Sequence, residues 1–434
     1  MRILILGGGF AGLTVAMELE RRLGRDPSVE ITLVNRENFF LFTPMLHEVA
    51  ASDLDLTTIV NPVRKLLRRV QFFAGEVDRI DLEQGNVRVA HGFDHHPHTL
   101  DFDFLVLGLG SVTNLYGIPG LQEHALTMKS LSDAMRLRNH LIAHLEEADS
   151  ECCKVKGPLV TFVVAGGGFA GVETVAAIND FVRSALRSYP NLTEDMLRVA
   201  LVHSGPVILP ELKAQLGAYA ERKLRRRKLE IRLNTKVESF SGTIVQLSDG
   251  TEIHTNTLVW TAGAFPNPLL ESIPCEKERG RLLVTEFLEV QGRPGIWALG
   301  DCAAIPDRRK GGFHPPTAQH ALREAKVVAH NIVASLRAKK TKRFAFSTIG
   351  QLAAIGRRTG VANIWGINFS GFVAWWLWRT IYLSKLPRFE KKLRVAFDWT
   401  LDLIFSKDLV QFLDIKAPMI SRPEVDSSSP NLPL

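Results

Sequence analysis

Apolar residues fall along this chain in two alternating rhythms. Short unbroken runs (RILIL, ITLV, TFVVA, VALV) read as strands buried on both faces. After the first and third of these, apolar positions recur every three or four residues, the spacing of one helix face. Strand followed by helix, repeated, predicts parallel sheets covered by helices, an α/β fold. The pattern occurs twice. RILILGGGFAGLTVAMEL lies at the start and TFVVAGGGFAGVETVAAI begins at Thr161, and both carry the core GGGFAG. Near the C-terminus the rhythm changes. Residues 369–383 read FSGFVAWWLWRTIYL, with three tryptophans and a tyrosine. Beyond them Leu386, Phe389, Leu393, Phe397, Leu401 and Ile404 form an apolar stripe at helical spacing, with Lys391, Arg394, Asp398 and Asp402 off it.

Each GGGFAG turn has the chemistry of a dinucleotide cradle, so two Rossmann-type domains are expected. In the first copy Gly7, Gly9 and Gly12 take the three glycine positions, with Phe10 and Ala11 between. In the second, Gly166, Gly168 and Gly171 enclose Phe169 and Ala170. The first glycine makes the tight turn, the second lets backbone approach a pyrophosphate, and the third lets the helix pack closely on the strand. The phosphates then meet free N–H groups at a helix N-terminus. The second strand of each unit is expected to end in an acid that binds the ribose. Here VEITLVNR ends on Asn35 and Arg36, and RVALVHS on His203 and Ser204. Asn35 still offers hydrogen bonds to ribose hydroxyls. With no carboxylate at His203, nothing there repels a 2′-phosphate, so NADH and NADPH both stay open as donors. Two cradles in one chain point to a flavoprotein, with FAD on the first, a nicotinamide cofactor on the second, and a hydride passing between them. Residues 101–114, with Gly110, and 252–268, with Gly263, read as crossings between the two units.

Composition narrows the partners more than the fold. The 434 residues are 46% apolar and 23% charged, with a net charge of +7 and a mean hydropathy of +0.04. That is a globular balance spread over two or three domains. Charge of this sign serves nucleic acid, an anionic membrane or anionic ligands. Zinc-finger spacing, an aromatic RNA-binding pattern and a helix-turn-helix are all missing, which sets nucleic acid aside. Cys152, Cys153, Cys275 and Cys302 are too few for a disulfide scaffold, and none forms a C-x-x-C redox pair. HGFDHHPHTLDFD holds four histidines at the spacing of a hairpin tip, and no metal site is assigned to it. No run reaches the ~18 apolar residues of a membrane span. No cleavable leader is expected ahead of the first strand.

Taken with these motifs, the chain resembles the type II NADH dehydrogenases, single-subunit, non-pumping NAD(P)H:quinone oxidoreductases of the two-dinucleotide flavoprotein superfamily. The resemblance spans residues 1–415 and rests on GGGFAGVE, NFFLFTPMLHEVAAS (38–52), GIWALGDCAAIPD (295–307) and PPTAQHALREAKVVAHNI (315–332). It implies FAD, NADH or NADPH as donor, and a membrane quinone as acceptor. It further implies that Thr43 and Pro44 touch the flavin, that Val77 holds the adenine through its backbone, and that Asp301 binds the ribityl chain. Ala318 and Gln319 would lie against the flavin ring. Glu173 would fall at the nicotinamide and quinone end, where a carboxylate can relay a proton to reduced quinone. Glu173 and Gln319 are therefore the candidate catalytic residues. Leu322 and Arg323 stand where the family keeps further glutamines. The rivals are an NADPH-preferring quinone reductase, a sulfide:quinone oxidoreductase and a redox-sensing flavoprotein. For the second of these, Cys152 and Cys153 fill only one of two required cysteine positions.

The expected order is an FAD domain from 1–115 and 293–335, with an NAD(P)H domain at 116–292 between its parts. A membrane-association or dimerisation region follows at 336–416, then a disordered tail at 417–434. Arg379, Lys385, Arg388, Lys391, Lys392 and Arg394 beside the Trp-rich stripe suit a helix lying in an anionic membrane interface. The expected protein is peripheral, on the cytoplasmic face of a membrane, and a homodimer through the same C-terminal region is compatible with that.

Overall fold

The computed structural model describes residues 1–150, 156–405 and 407–411. Two parallel sheets form its body, each of five strands. In the first, β1 (Arg2–Leu6) lies between β2 (Glu30–Asn35) and β4 (Phe104–Leu107). Beyond β2 comes β3 (Gln71–Ala74), and beyond β4 the strand Ile296–Ala298. In the second, β5 (Thr161–Ala165) lies between β6 (Arg198–Val202) and β8 (Thr257–Trp260), with β7 (Leu229–Arg232) outside β6 and Leu126–Thr127 outside β8. All pairs in both sheets are parallel. Every residue of β5 is buried, and so is β1 after Arg2; one face of the second sheet, with Val163 and Ala165, packs against a small antiparallel sheet through Val237, Phe240, Val245, Leu247 and Ile253.

From the first strand of each sheet the chain turns through GGGFAG into a helix, α1 (Phe10–Leu23) after β1 and α2 (Phe169–Ala185) after β5. The sequence repeat is thus a structural repeat. The two crossings also meet: Ser111–Thr113 pairs antiparallel with Ala264–Pro266. This moves one expected boundary. Arg281–Leu283 pairs with Ala303–Ala304, beside the first sheet, and Glu289 bridges to Trp297. Residues 281–289 therefore pack with the first nucleotide unit, although the sequence pattern had put them in the 116–292 insert.

After α3 (Ala214–Arg226) and α4 (Ala318–Leu336) the chain builds a separate antiparallel sheet of β9 (Gly350–Ala354), β10 (Gly360–Ile364) and β11 (Ile367–Gly371). Two helices follow, α5 (Phe372–Lys385) and α6 (Phe389–Ile404). Their inner face buries Ala374, Trp378, Lys391, Val395 and Trp399. Their outer face carries the apolar stripe. Phe389 is 73% exposed, Leu393 56% and Phe397 64%, joined by Phe372, Val373 and Trp376. Leu386 departs from the stripe and is buried, and the side chain of Ile404 lies outside the described residues. Two cations of the expected membrane-facing run also turn inward. Lys391 is buried with its ammonium on the Thr57 carbonyl at 2.5 Å. Arg379 is stacked 4.2 Å from the Trp375 ring and 4.5 Å from that of Trp399. Spacing alone could not show this, because helical period assigns residues to a face without saying which face meets the core.

Among the described residues no helix is long and apolar enough to cross a membrane. Cys152, Cys153 and the expected tail at 417–434 lie outside the described residues.

Candidate active site

The two Gly-rich turns close in the same way. Gly7 and Gly166 sit in left-handed conformations, at φ +97° and +120°. A Cβ on Gly12 would come within 2.0 Å of the Gly7 carbonyl oxygen, and one on Gly171 within 1.9 Å of that of Gly166, so only glycine lets each helix seat against its turn. Neither α1 nor α2 has a side-chain cap among the described residues, and the space a Cβ on Gly9 would enter is open to 4 Å. Uncapped N–H groups facing open space fit a pyrophosphate. The strand-end residues take parallel roles that the sequence did not reveal. The Gly8 N–H donates to Asn35 Oδ1 at 2.7 Å, and the Gly167 N–H donates to His203 Nδ1 at 3.1 Å. Burial lowers the His203 pKa, in keeping with a neutral ring that accepts at Nδ1. Both side chains bracket their turn, where an acid had been expected to reach the ribose.

The remaining expected cofactor residues border the first cradle or the crossings. Arg36 is exposed and lies 3.3 Å from Glu37. Val77 is buried in the strand Glu76–Asp81. Gly110 adopts φ +70° with open space beside it. Asp301 accepts from the Ser111 hydroxyl at 2.5 Å, and that hydroxyl accepts from the Lys129 ammonium at 2.8 Å. In the second unit Ser204 and Ala170 are exposed, and Gly263 (φ +79°) faces the Tyr116 ring.

A cavity of about 440 Å³ lies where the first unit, the second unit and the C-terminal helices meet. Phe10 and Phe169 from the two turns line it, with Pro44, Ala318, Gln319 and Tyr382, while Lys385 at the end of α5 and Pro387 in the turn after it reach its wall. Thr43 precedes Pro44 and is exposed. The Gln319 amide is engaged at both ends: its NH₂ donates to the Gly350 carbonyl at 3.0 Å and its Oε1 accepts from the Ile349 N–H at 3.3 Å. It fastens α4 to β9 as well as lining the cavity.

Glu173 lies one helical turn after Phe169 and is buried. Its Oε1 accepts from the Ala354 N–H and from the Trp378 indole N–H, each at 3.0 Å, and Oε2 lies 3.8 Å from His47 Nδ1. Trp378 in turn contacts Tyr382, on the wall of the larger cavity, with ring centroids 4.8 Å apart. Burial pushes the Glu173 carboxyl up to about 8, against the lowering effect of its two donors. Glu48 is also buried and also pushed to about 8, while burial holds His47 down at about 4. Glu48 accepts from the Trp399 indole at 3.2 Å and lies 4.0 Å from Arg379. At neutral pH both acids are therefore mostly protonated and His47 is neutral. Together with Asp53, Asp180, Arg357, Asp402 and Lys407 they enclose a second, smaller space of about 70 Å³.

Comparison with known proteins places this arrangement. The profile of the pyridine nucleotide-disulphide oxidoreductases matches residues 1–325, and that of the NDH2 C-terminal domain matches residues 349–408. A type II NADH:quinone oxidoreductase of Mycobacterium tuberculosis is 32% identical, over 94% of this chain and 89% of its own. A probable NADH dehydrogenase of Dictyostelium discoideum is 30% identical, over 95% and 91%. This chain belongs to the type II NADH dehydrogenase family. The structure of NDH2 from Plasmodium falciparum in complex with NADH shares its fold, with a TM-score of 0.88 over 94% of this chain and 99% of that one, at 19% identity.

Two cysteines of this type II NADH dehydrogenase, Cys275 and Cys302, are among the described residues, and both are free thiols. Cys302 is buried with its thiol on the Leu107 and Leu299 carbonyls, and burial raises its pKa to about 11. Cys275 is free and half-buried. The histidine-rich segment is the hairpin of strands Asn86–His91 and His96–Asp101, and among the described residues no group of three or more His, Cys, Asp or Glu is arranged to hold a metal ion. Sequence reasoning missed His47, Glu48 and the inward-facing Trp378, Arg379 and Trp399. His47 and Glu48 stand in the quoted 38–52 segment as an ordinary polar pair on a five-residue helix (Leu46–Ala50). Only the fold brings them to Glu173.

Proposed function

We propose that this type II NADH dehydrogenase lies on a membrane by the outer face of α5 and α6 and reduces a membrane quinone in the 440 Å³ cavity. It carries out NADH:quinone oxidoreduction with FAD as its cofactor. Bound FAD supplies the two-electron chemistry, taking a hydride from the nicotinamide and giving two electrons to the quinone. The α1 N-terminus, Asp301 and Ser111 would hold the FAD, and the α2 N-terminus the NADH. Quinone reduction takes up two protons, and hydride transfer brings one. Glu173 is a reservoir for the other, since burial keeps it protonated at neutral pH.

One juxtaposition carries this reading. A buried, protonated acid is joined through Trp378 to the wall of a largely apolar cavity, and that wall includes the turn between two helices whose outer face is apolar and exposed. A lipid-soluble quinone would meet the cavity from the bilayer side. Exposed Phe and Leu side chains gain about 1.5–3 kcal/mol each when fully withdrawn from water. Lys392 and Arg394 stand beside them for anionic lipid.

Stopped-flow spectroscopy tests the chemistry. NADH should bleach the flavin absorbance, and benzoquinone and naphthoquinone analogues should restore it. Bound FAD that NADH does not reduce would overturn the assignment. Flotation with vesicles containing anionic lipid tests the placement. A protein that stays at the bottom of the gradient as a dimer would show that the outer face is a subunit interface.

A further inference from the structure

The second cradle lacks the strand-end acid, yet a carboxylate stands over it. The loop after β6 folds back onto the Gly-rich turn, with the Leu209 N–H donating to the Gly167 carbonyl at 2.7 Å. Two residues later Glu211 projects across the turn. Its Oε1 is 3.8 Å from where a Cβ on Gly168 would lie, nearer than any other atom outside the turn's own neighbouring backbone among the described residues. Glu211 also acts electrostatically on His203, the residue that ends the second strand. Its carboxylate thus stands beside the pyrophosphate cradle and near enough to act on the strand-end residue, and the adenosine ribose of a dinucleotide is laid between those two points in this fold. His203 itself is spent on the Gly167 N–H.

We propose that Glu211 is the specificity-determining residue of the second site: it accepts hydrogen bonds from the ribose hydroxyls of NADH and repels the 2′-phosphate of NADPH. The nearby cations do not offset it. Arg232, whose carbonyl receives the His203 N–H, is paired with Glu230 at 2.6 Å and with Asp249 at 3.7 Å. Lys213, two residues beyond Glu211, turns away to the Gly366 carbonyl at 2.6 Å. A phosphate carrying a further negative charge would meet a carboxylate there and no uncommitted guanidinium or ammonium from these neighbours. The inference rests on the second cradle taking the nicotinamide nucleotide, and it resolves the donor choice that His203 leaves open.

The test compares the FAD-loaded wild type with Glu211→Gln. It measures kcat/KM for NADH and for NADPH with one soluble benzoquinone, and the Kd of each nucleotide from quenching of flavin fluorescence. The wild type should prefer NADH. E211Q should shrink that preference by about tenfold, which corresponds to one unit of log K, through KM and Kd while kcat for NADH holds. A ratio unchanged within twofold, or a wild type that prefers NADPH, overturns the proposal. If neither nucleotide is oxidised, the functional reading fails, and the ratio of the two Kd values still decides the role of Glu211.

Discussion

The indole of Trp378 donates to Glu173 Oε1 at 3.0 Å, so a helix of the C-terminal region holds an acid of the second nucleotide unit. Trp378 belongs to α5, whose other face is exposed and apolar. Glu173 belongs to α2, which begins at the second cradle. Glu173→Gln keeps the shape and the hydrogen bond but removes the titrating proton. With NADH and a quinone, its turnover should fall about a hundredfold, the scale of a lost general acid. Flavin reduction by NADH alone should be little changed. Wild-type turnover should also decline above pH 8, as a carboxyl near 8 loses its proton, and that limb should vanish in the variant. A basic limb that survives in E173Q would assign the proton elsewhere.

The same acids make stability depend on pH. Glu173 and Glu48 each titrate near 8 when folded, against 4.5 ordinarily. Between those values the native protein holds protons that the unfolded chain releases. Stability is therefore greatest below about pH 4.5 as far as these two groups decide it, and it drains away as pH climbs through 8. Calorimetry from pH 6 to 8.5 should show Tm falling, with a shallower slope in E173Q. A Tm that rises across this range would count against both burial assignments.

Gln319 links α4 to β9 through both ends of its amide. Gln319→Ala leaves a carbonyl and an N–H of residues 349–350 without these partners, at a cost of about 1–3 kcal/mol if water does not replace them. Denaturant melts should record that loss. Because Gln319 also lines the cavity, the KM for quinone should rise while that for NADH does not. An unaltered quinone KM would reduce its role to fastening.

The outer stripe can be tested apart from the chemistry. Replacing Phe389, Leu393 and Phe397 together by Ser removes side chains that are 73%, 56% and 64% exposed, so the fold should tolerate it. Vesicle flotation should fall sharply, while activity with a water-soluble quinone persists. Retained flotation would move the contact away from α6.

Gly171→Ala and Gly12→Ala separate the two cradles. Either added methyl meets a carbonyl oxygen at about 2 Å or less, which backbone cannot absorb. The first change should abolish NADH binding while the flavin stays bound. The second should yield protein without flavin.

Much of this fold was legible because its signals are local. The doubled GGGFAG, the buried strands and the crossing segments depend on neighbours in sequence, and all of them formed elements where expected. The C-terminal stripe was equally legible as a helix, but its orientation was not: Arg379 and Lys391 read as membrane cations and lie inside. The buried acids were legible only in part. Glu173 was found beside its motif, whereas Glu48 and His47 gain their character from α5 and α6, more than 300 residues later. Burial of that kind is a property of packing, and no window of sequence contains it.

The matched brackets, Asn35 on Gly8 and His203 on Gly167, carry a consequence for how such a chain could arise and change. A duplicated turn closed by the same bond offers any adenine dinucleotide the same welcome. It has no means of telling flavin from nicotinamide, or one nicotinamide from another. That discrimination has to come from side chains outside the repeat, which are free to change without disturbing the turn. A switch of electron donor would then need new surroundings for an old cradle, and the cradle itself could stay untouched.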